Sequence, residues 1–136
     1  MQTREVLAHK YVKRLFLARF ISNYGNGMGP IALAFGILGL PNGSANLLGL
    51  VLGTTTVLFL IMAPFGGVIA DKYGRARMVG LTDMAGGLIL FVQVAYFATG
   101  EVPIAVLLIV NGCFGILWGI FWPAFSGVIP AVLPEA

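Results

Sequence analysis

The amino-acid sequence predicts an all-α membrane protein with four membrane-spanning helices. Of its 136 residues, 59% are hydrophobic and only 10% are charged, and the mean hydropathy is +0.97. In soluble domains roughly a quarter of all residues are charged, so this composition excludes a water-soluble enzyme. Four apolar runs follow one another without an alternating-strand pattern, and lipid admits only helices and closed barrels.

The four predicted spans are joined by short polar connections. They cover residues 15–40, 45–70, 78–98 and 104–125. Such runs are long enough to cross a hydrocarbon core of ~30 Å at ~1.5 Å per residue. The first run is longer than the ~7 to 15 apolar residues of a signal peptide. We therefore expect a retained first span rather than a cleaved leader.

The distribution of charge predicts the orientation in the membrane. All eight Lys and Arg residues lie within the first 20 residues or between spans two and three, and none lies in the connections at 41–44 and 99–103. The positive-inside rule then places both termini in the cytoplasm. The chain is thus predicted to be a multi-pass protein of the inner (plasma) membrane with the lipid bilayer as its surroundings. The net charge of +3 therefore does not indicate a nucleic-acid surface.

The connection between spans two and three, residues 66–77, is a charged elbow that holds four of the thirteen Asp, Glu, Lys and Arg residues. Asp71 ends span two, where the helix macrodipole disfavours an acid by a few tenths to about 1 kcal/mol, so a nearby cation is expected to compensate it. Gly74 tolerates positive φ, and Gly66 with Gly67 allows another backbone to approach. The candidate switch residues of the elbow are Gly67, Asp71, Lys72, Gly74, Arg75 and Arg77.

Polar residues inside the spans mark a candidate substrate path, because hydrocarbon makes them expensive. The spacing i, i+4, i+7 and i+11 places on one helix face Arg19, Asn23, Asn26 and Pro30 of span one, and Asn111, Gly115, Trp118 and Trp122 of span four. An alternative is that the asparagines only bond neighbouring helices, for about 1 kcal/mol or less each, and that the tryptophans pack or lie at the membrane interface. The candidates for the path are Arg19, Asn23, Asn26, Asn111, Trp118 and Trp122.

Two further features of the spans lead to expectations. Gly25, Gly27 and Gly29 with Pro30 predict a bend or a local break in span one, because glycine loosens a helix and proline removes a hydrogen bond. Asp83 lies about one and a half turns into span three, where a buried acid needs a cation or a proton. We favour a charge partner among the nearby arginines over a proton-carrying role.

The elbow resembles the signature loop between helices 2 and 3 of the major facilitator superfamily, G-x-L-A-D-R-x-G-R-[RK]. Ile69 and Lys72 are conservative replacements, and Ala76 departs from the pattern, with Arg77 following one position later. The matching residues are Gly67, Ala70, Asp71, Gly74 and Arg75. Residues 19–27, 63–67 and 123–135 also resemble segments of bacterial siderophore and macrolide exporters.

This resemblance implies transport of a small molecule, with efflux by alternating access. Such proteins have twelve helices in two halves, so the chain would be an incomplete N-terminal domain that holds helices 1–4 of a six-helix half and works with the remaining helices. The resemblance also implies that Asp71 engages the opposite half and stabilises cytoplasmic closure. Breaking a largely buried charge pair costs about 3 to 5 kcal/mol.

Asn26 stands where many relatives carry Asp, and span four lacks the Arg-containing motif of drug antiporters, which argues against drug/proton antiport.

The alternative is a complete small four-helix membrane protein that acts as an interaction subunit or as a small dimeric exporter. Small multidrug exporters place an essential Glu in their first helix, whereas span one has no acid. His9 is the only histidine and Cys113 the only cysteine. No metal cluster, nucleophile-base pair or phosphate loop is visible, so the sequence predicts no cofactor, no metal and no enzymatic activity.

Overall fold

The structure describes residues 10–132, and all regular secondary structure in this part of the chain is helical. The computed structural model contains α1 (Lys10–Leu38), α2 (Ala45–Tyr73), α3 (Arg75–Ala98) and α4 (Ile104–Val132), and no strand occurs among the described residues. The predicted all-α class is confirmed. The expectations that concern residues 1–9 and 133–136 lie outside the described residues.

The helices begin and end at residues whose chemistry explains their position. Ser44 caps α2, because its Oγ accepts a hydrogen bond of 3.1 Å from the Leu47 N–H. Gly74 separates α2 from α3 with φ of 94°, and Gly100 follows α3 with φ of 77°, a region that favours glycine. Helical hydrogen bonding continues past the apolar run of span two, so α2 extends through the polar residues to Tyr73.

Three of the four described helices are long and apolar enough to cross a membrane, namely α2, α3 and residues Ile104–Val128 of α4. The 29 residues of α2 correspond to about 43 Å, and the 24 of α3 to about 36 Å, at ~1.5 Å per residue. Both lengths exceed a hydrocarbon core of ~30 Å. α1 is long enough but less apolar than the other three helices, because polar residues and glycines lie in its middle.

The described chain divides into two compact units, one that holds α1 as far as Gly36 and one that begins at Ile37. In the second unit α4 packs against both α2 and α3, whereas α2 and α3 contact each other much less. Accordingly, 39% of the apolar window of α4 is buried, against 11% in α2 and in α3. Val51 and Leu107 are fully buried in this unit. α4 is therefore its central helix.

Glycines bring the backbones of α2 and α4 into direct contact. A Cβ on Gly66 would collide with the Gly119 carbonyl oxygen, and a Cβ on Gly115 would collide with the Thr55 carbonyl oxygen. Gly66 therefore allows the close backbone approach that the sequence predicts for the Gly66-Gly67 pair. Small residues at helix interfaces favour association in membranes because they permit close van der Waals packing.

The helix α1 is continuous across its glycines and its proline. Pro30 lies inside the helix, which runs from Lys10 to Leu38 without interruption. The local break that the sequence suggested is therefore absent, because the remaining backbone hydrogen bonds of a 29-residue helix hold the proline within it.

Candidate functional site: the charged elbow

The elbow is built as two helices joined by one glycine. Asp71 lies in the last turn of α2, and Arg75 is the first residue of α3. The N–H of Gly74 donates to the Ala70 carbonyl over 2.9 Å, and its φ of 94° turns the chain. The predicted role of Gly74 as a turn residue with positive φ is confirmed. Any other residue there would strain the backbone.

Asp71 and Arg75 form an ion pair across this glycine. The Arg75 Nε donates to the Asp71 Oδ1 at 2.8 Å. Asp71 stands at the negative end of the α2 macrodipole and Arg75 at the positive end of that of α3, so each charge alone is disfavoured by about 0.3 to 1 kcal/mol. Pairing offsets both penalties, and Arg75 is the cation that compensates Asp71.

The ion pair is exposed in the described structure. The side chains of Arg75 and Asp71 keep 45% and 60% of their accessible surface. An exposed pair contributes about 0.2 to 1 kcal/mol, so the expected cost of about 3 to 5 kcal/mol for a buried pair does not apply within this chain.

The other elbow residues have different surroundings. The Lys72 ammonium lies 5.3 Å from the centroid of the Tyr73 ring, a cation-π contact worth about 0.5 to 1 kcal/mol at an exposed site. Arg77 is exposed and forms no ion pair with any residue that the structure describes. Gly67 faces α4, where a Cβ would lie 3.8 Å from the Pro123 Cβ, which is ordinary contact.

Asn111 lies in the contact between α4 and α2. It is 5% exposed, and its Nδ2 donates to the Leu107 carbonyl over 2.9 Å. Its own backbone carbonyl accepts from the Thr55 Oγ1 of α2 over 3.1 Å. This geometry matches the packing alternative for Asn111, since its amide is satisfied within α4 and the residue faces a neighbouring helix.

The two tryptophans of α4 have different environments. Trp118 is half-buried and Trp122 is exposed. Trp122 meets Phe121 edge to face, with ring centroids 6.0 Å apart and an interplanar angle of 86°. The predicted stripe of α4 therefore divides into a buried part at Asn111 and Gly115 and a more open part at the tryptophans.

The polar stripe of α1 is more exposed than that of α4. Asn23 and Asn26 are exposed and Arg19 is half-buried. These residues belong to the unit that ends at Gly36, whereas the α4 tryptophans belong to the unit that begins at Ile37.

Asp83 is exposed on α3 and makes no ion pair with the residues that the structure describes. The predicted pairing with an arginine is not among the contacts of the described residues. Of the two elbow arginines, Arg75 is already paired with Asp71.

Residues that the sequence reading missed hold the elbow in place. Gly112 and Gly119 of α4 approach α2, where Cβ atoms would lie 2.9 Å from the Leu58 Cδ1 and 2.7 Å from the Met62 Cβ. Together with Gly115 they recur at intervals of three and four residues, a spacing that could have revealed this face. Gly127 lies against Arg75, and no spacing signal points to it.

Comparisons with known proteins identify partial relatives. The chain is 29% identical over 119 residues to the Staphyloferrin A transporter of Staphylococcus aureus (strain NCTC 8325 / PS 47), and the match covers 87% of this chain and 30% of that protein. It is 34% identical over 89 residues to the Quinolone resistance protein NorA of Staphylococcus aureus (strain MRSA252), which covers 65% of this chain and 21% of that protein.

No family model and no solved structure matches the chain. The chain spans less than a third of the length of either curated relative. By their names, one relative is a transporter of staphyloferrin A and the other confers resistance to quinolones. Their similarity to this chain confirms its resemblance to the major facilitator superfamily, which the elbow predicts.

Proposed function

We propose that the chain provides helices 1–4 of the N-terminal half of a major facilitator transporter that exports a small molecule by alternating access. The observation that carries this proposal is the Asp71–Arg75 ion pair across Gly74. It joins two helices that are apolar enough to span a membrane. The similarity to the two curated relatives supports the assignment. The location is the inner (plasma) membrane, with both termini in the cytoplasm.

In this proposal α1 is the first of four spans. Its 29 residues reach about 43 Å at ~1.5 Å per residue, which is enough to cross the bilayer. The residues that lower its apolar character are Arg19, Asn23 and Asn26. Polar side chains of this kind in a span face a bundle interior or a water-filled cavity. A substrate path therefore accounts for their presence.

The elbow acts as a conformational latch. Asp71 and Arg75 link α2 and α3 across Gly74, and Gly67, Lys72 and Arg77 complete the latch. Asp71 has exposed surface available, so it can meet a helix N-terminus or a cation of the opposite half. This contact stabilises cytoplasmic closure.

We assign polar residues of α1 and aromatic residues of α4 to the substrate path. Arg19, Asn23 and Asn26 provide charge and amides, and Trp118 and Trp122 provide aromatic surface. Asn111 is assigned to the α2–α4 contact instead, because its buried amide donates to Leu107. Asp83 is assigned to a cation carried by the remaining helices, since an exposed acid within a span requires compensation.

Transport measurements with purified protein test this function. The full-length protein that contains the chain is reconstituted in proteoliposomes and assayed for export of radiolabelled small molecules, beside the 136-residue chain alone. We expect transport by the full-length protein and none by the chain alone, because one half cannot close a pathway. Transport by the chain alone would support the small-exporter alternative, and a full-length protein that moves no substrate would contradict the proposal.

A further inference from the structure

The side chain of Arg75 crosses the surface of α4 at a glycine. A Cβ built on Gly127 would collide with the Nη1 and Cζ atoms of Arg75 and would lie 2.6 Å from its Cδ. The guanidinium of Arg75 therefore occupies the space that any side chain at position 127 would fill. The same guanidinium group, through its Nε, donates to Asp71.

We infer that Gly127 is a positioning residue that seats the Arg75 guanidinium on α4 and so orients the Asp71–Arg75 pair. Nothing in the ion pair alone requires α4, since both charges come from the α2–α3 connection. The contact between Gly127 and the Arg75 guanidinium, which we call the seat, links the α2–α3 connection to α4, the central helix of the unit. Its consequence for transport rests on the proposed function, whereas the seat itself does not.

Two contacts along α4 support the elbow in different ways. Gly119 meets Gly66 backbone to backbone, and Gly127 meets the end of a flexible side chain. The two glycines are eight residues apart, which corresponds to about 12 Å along the helix at ~1.5 Å per residue. An added methyl group at 119 must push the two helices apart, whereas a methyl group at 127 displaces only the arginine.

This difference gives a selective perturbation of the pair. Gly127→Ala leaves both charges and the turn at Gly74 unchanged, yet it removes the place where the guanidinium lies. Truncation of the arginine by Arg75→Ala empties the seat, so that alanine at position 127 then fits. If Gly127 acts through Arg75, its substitution has an effect only while the arginine is present, which a double-mutant cycle measures.

The first measurement follows the arginine itself and does not depend on transport. The solvent-exchange rate of the Arg75 Nε–H is recorded by ¹⁵N NMR of the full-length protein in nanodiscs, with the signal assigned by its loss in Arg75→Ala. We expect Gly127→Ala to raise this rate by up to about fivefold, as for the loss of an exposed ion pair, and to leave the Arg77 Nε–H unchanged. An unchanged Arg75 rate would overturn the inference.

The second measurement is the double-mutant cycle, with unfolding midpoint and export rate as readouts. We expect Gly127→Ala to lower the export rate in the wild-type background and to have no effect on either readout in the Arg75→Ala background. Gly119→Ala is the control, since its Cβ would lie 2.7 Å from the Met62 Cβ and 3.0 Å from the Phe59 carbonyl oxygen, so it should lower the midpoint in both backgrounds. A Gly127→Ala effect of equal size with and without Arg75 would make Gly127 an ordinary packing residue. An unmutated full-length protein that exports nothing would count against the proposed function and not against the seat, which the Arg75 exchange rate still tests.

Discussion

Substituting alanine for Gly66 tests the contact that holds the elbow end of α2 against α4. The added Cβ would collide with the Gly119 carbonyl oxygen and lie 2.8 Å from the Ile120 Cα. Both atoms belong to the backbone of α4, so neither can rotate away. The two helices must therefore separate locally, with loss of the neighbouring contacts.

The magnitude follows from two opposing terms. Overpacking a well-packed interface costs about 1 to 3 kcal/mol, and a collision with backbone belongs to the upper part of that range. Replacing glycine by alanine in a helix gains about 1 kcal/mol. Taking about 2 to 3 kcal/mol for the collision leaves a net destabilisation of about 1 to 2 kcal/mol.

The neighbouring glycine provides a matched control. A Cβ on Gly67 would lie 3.8 Å from the Pro123 Cβ, an ordinary contact. Gly67→Ala should therefore stabilise the helix by about 0.5 to 1 kcal/mol. Reversible unfolding in mixed micelles by SDS titration measures both variants, and the fluorescence of Trp118 and Trp122 on α4 reports its environment. Equal stability of Gly66→Ala and Gly67→Ala would refute the backbone contact.

Two further predictions concern the membrane topology and the α2–α4 contact. In a Cys113→Ala background, Asn42→Cys in the turn between α1 and α2 should react with an impermeant thiol reagent from outside the cell, and reaction only from the cytoplasmic side would contradict the topology. Thr55→Val should destabilise the protein by about 0.6 kcal/mol in the same SDS titration, because the Thr55 hydroxyl is shared between the Asn111 carbonyl across the contact and the Val51 carbonyl of its own helix. Thr56→Val is its control, since the Thr56 Oγ1 donates to the Leu52 carbonyl of its own helix. Equal destabilisation by the two variants would show that the interhelical hydrogen bond contributes nothing to stability.

The local features of the fold could be predicted from the sequence because they depend on residues close together in the chain. Gly74 has the positive φ that its place in the elbow predicts, and the connections predicted at 41–44 and 99–103 hold the Ser44 cap and the second positive-φ glycine, Gly100. The compensation of Asp71 by Arg75 follows from the dipoles of the two helices and from a separation of four residues.

The contacts between helices could not be predicted to the same extent. Residue spacing tells which side chains share a helix face, but not which neighbour covers that face. Asn111 and Trp122 share one predicted stripe, yet α2 covers Asn111 and leaves Trp122 exposed. The burial of the Asp71–Arg75 pair likewise depends on what packs against the elbow, which residue spacing does not show. The seat at Gly127 depends on the direction of an arginine side chain, which no sequence pattern contains.

The export rate of the Asp71→Asn variant tests the central claim, that the elbow is a latch for transport, most directly. An exposed ion pair contributes at most about 1 kcal/mol, which shifts a two-state equilibrium by up to about fivefold. In the full-length protein in proteoliposomes, we expect Asp71→Asn to lower the export rate by a factor of this order. Membrane insertion and the unfolding midpoint should remain close to wild type. Glu101→Gln, which removes an exposed acid from the loop between α3 and α4, should export at the wild-type rate. Full export by Asp71→Asn at normal expression would contradict the latch and leave Asp71 as an ordinary solvated charge.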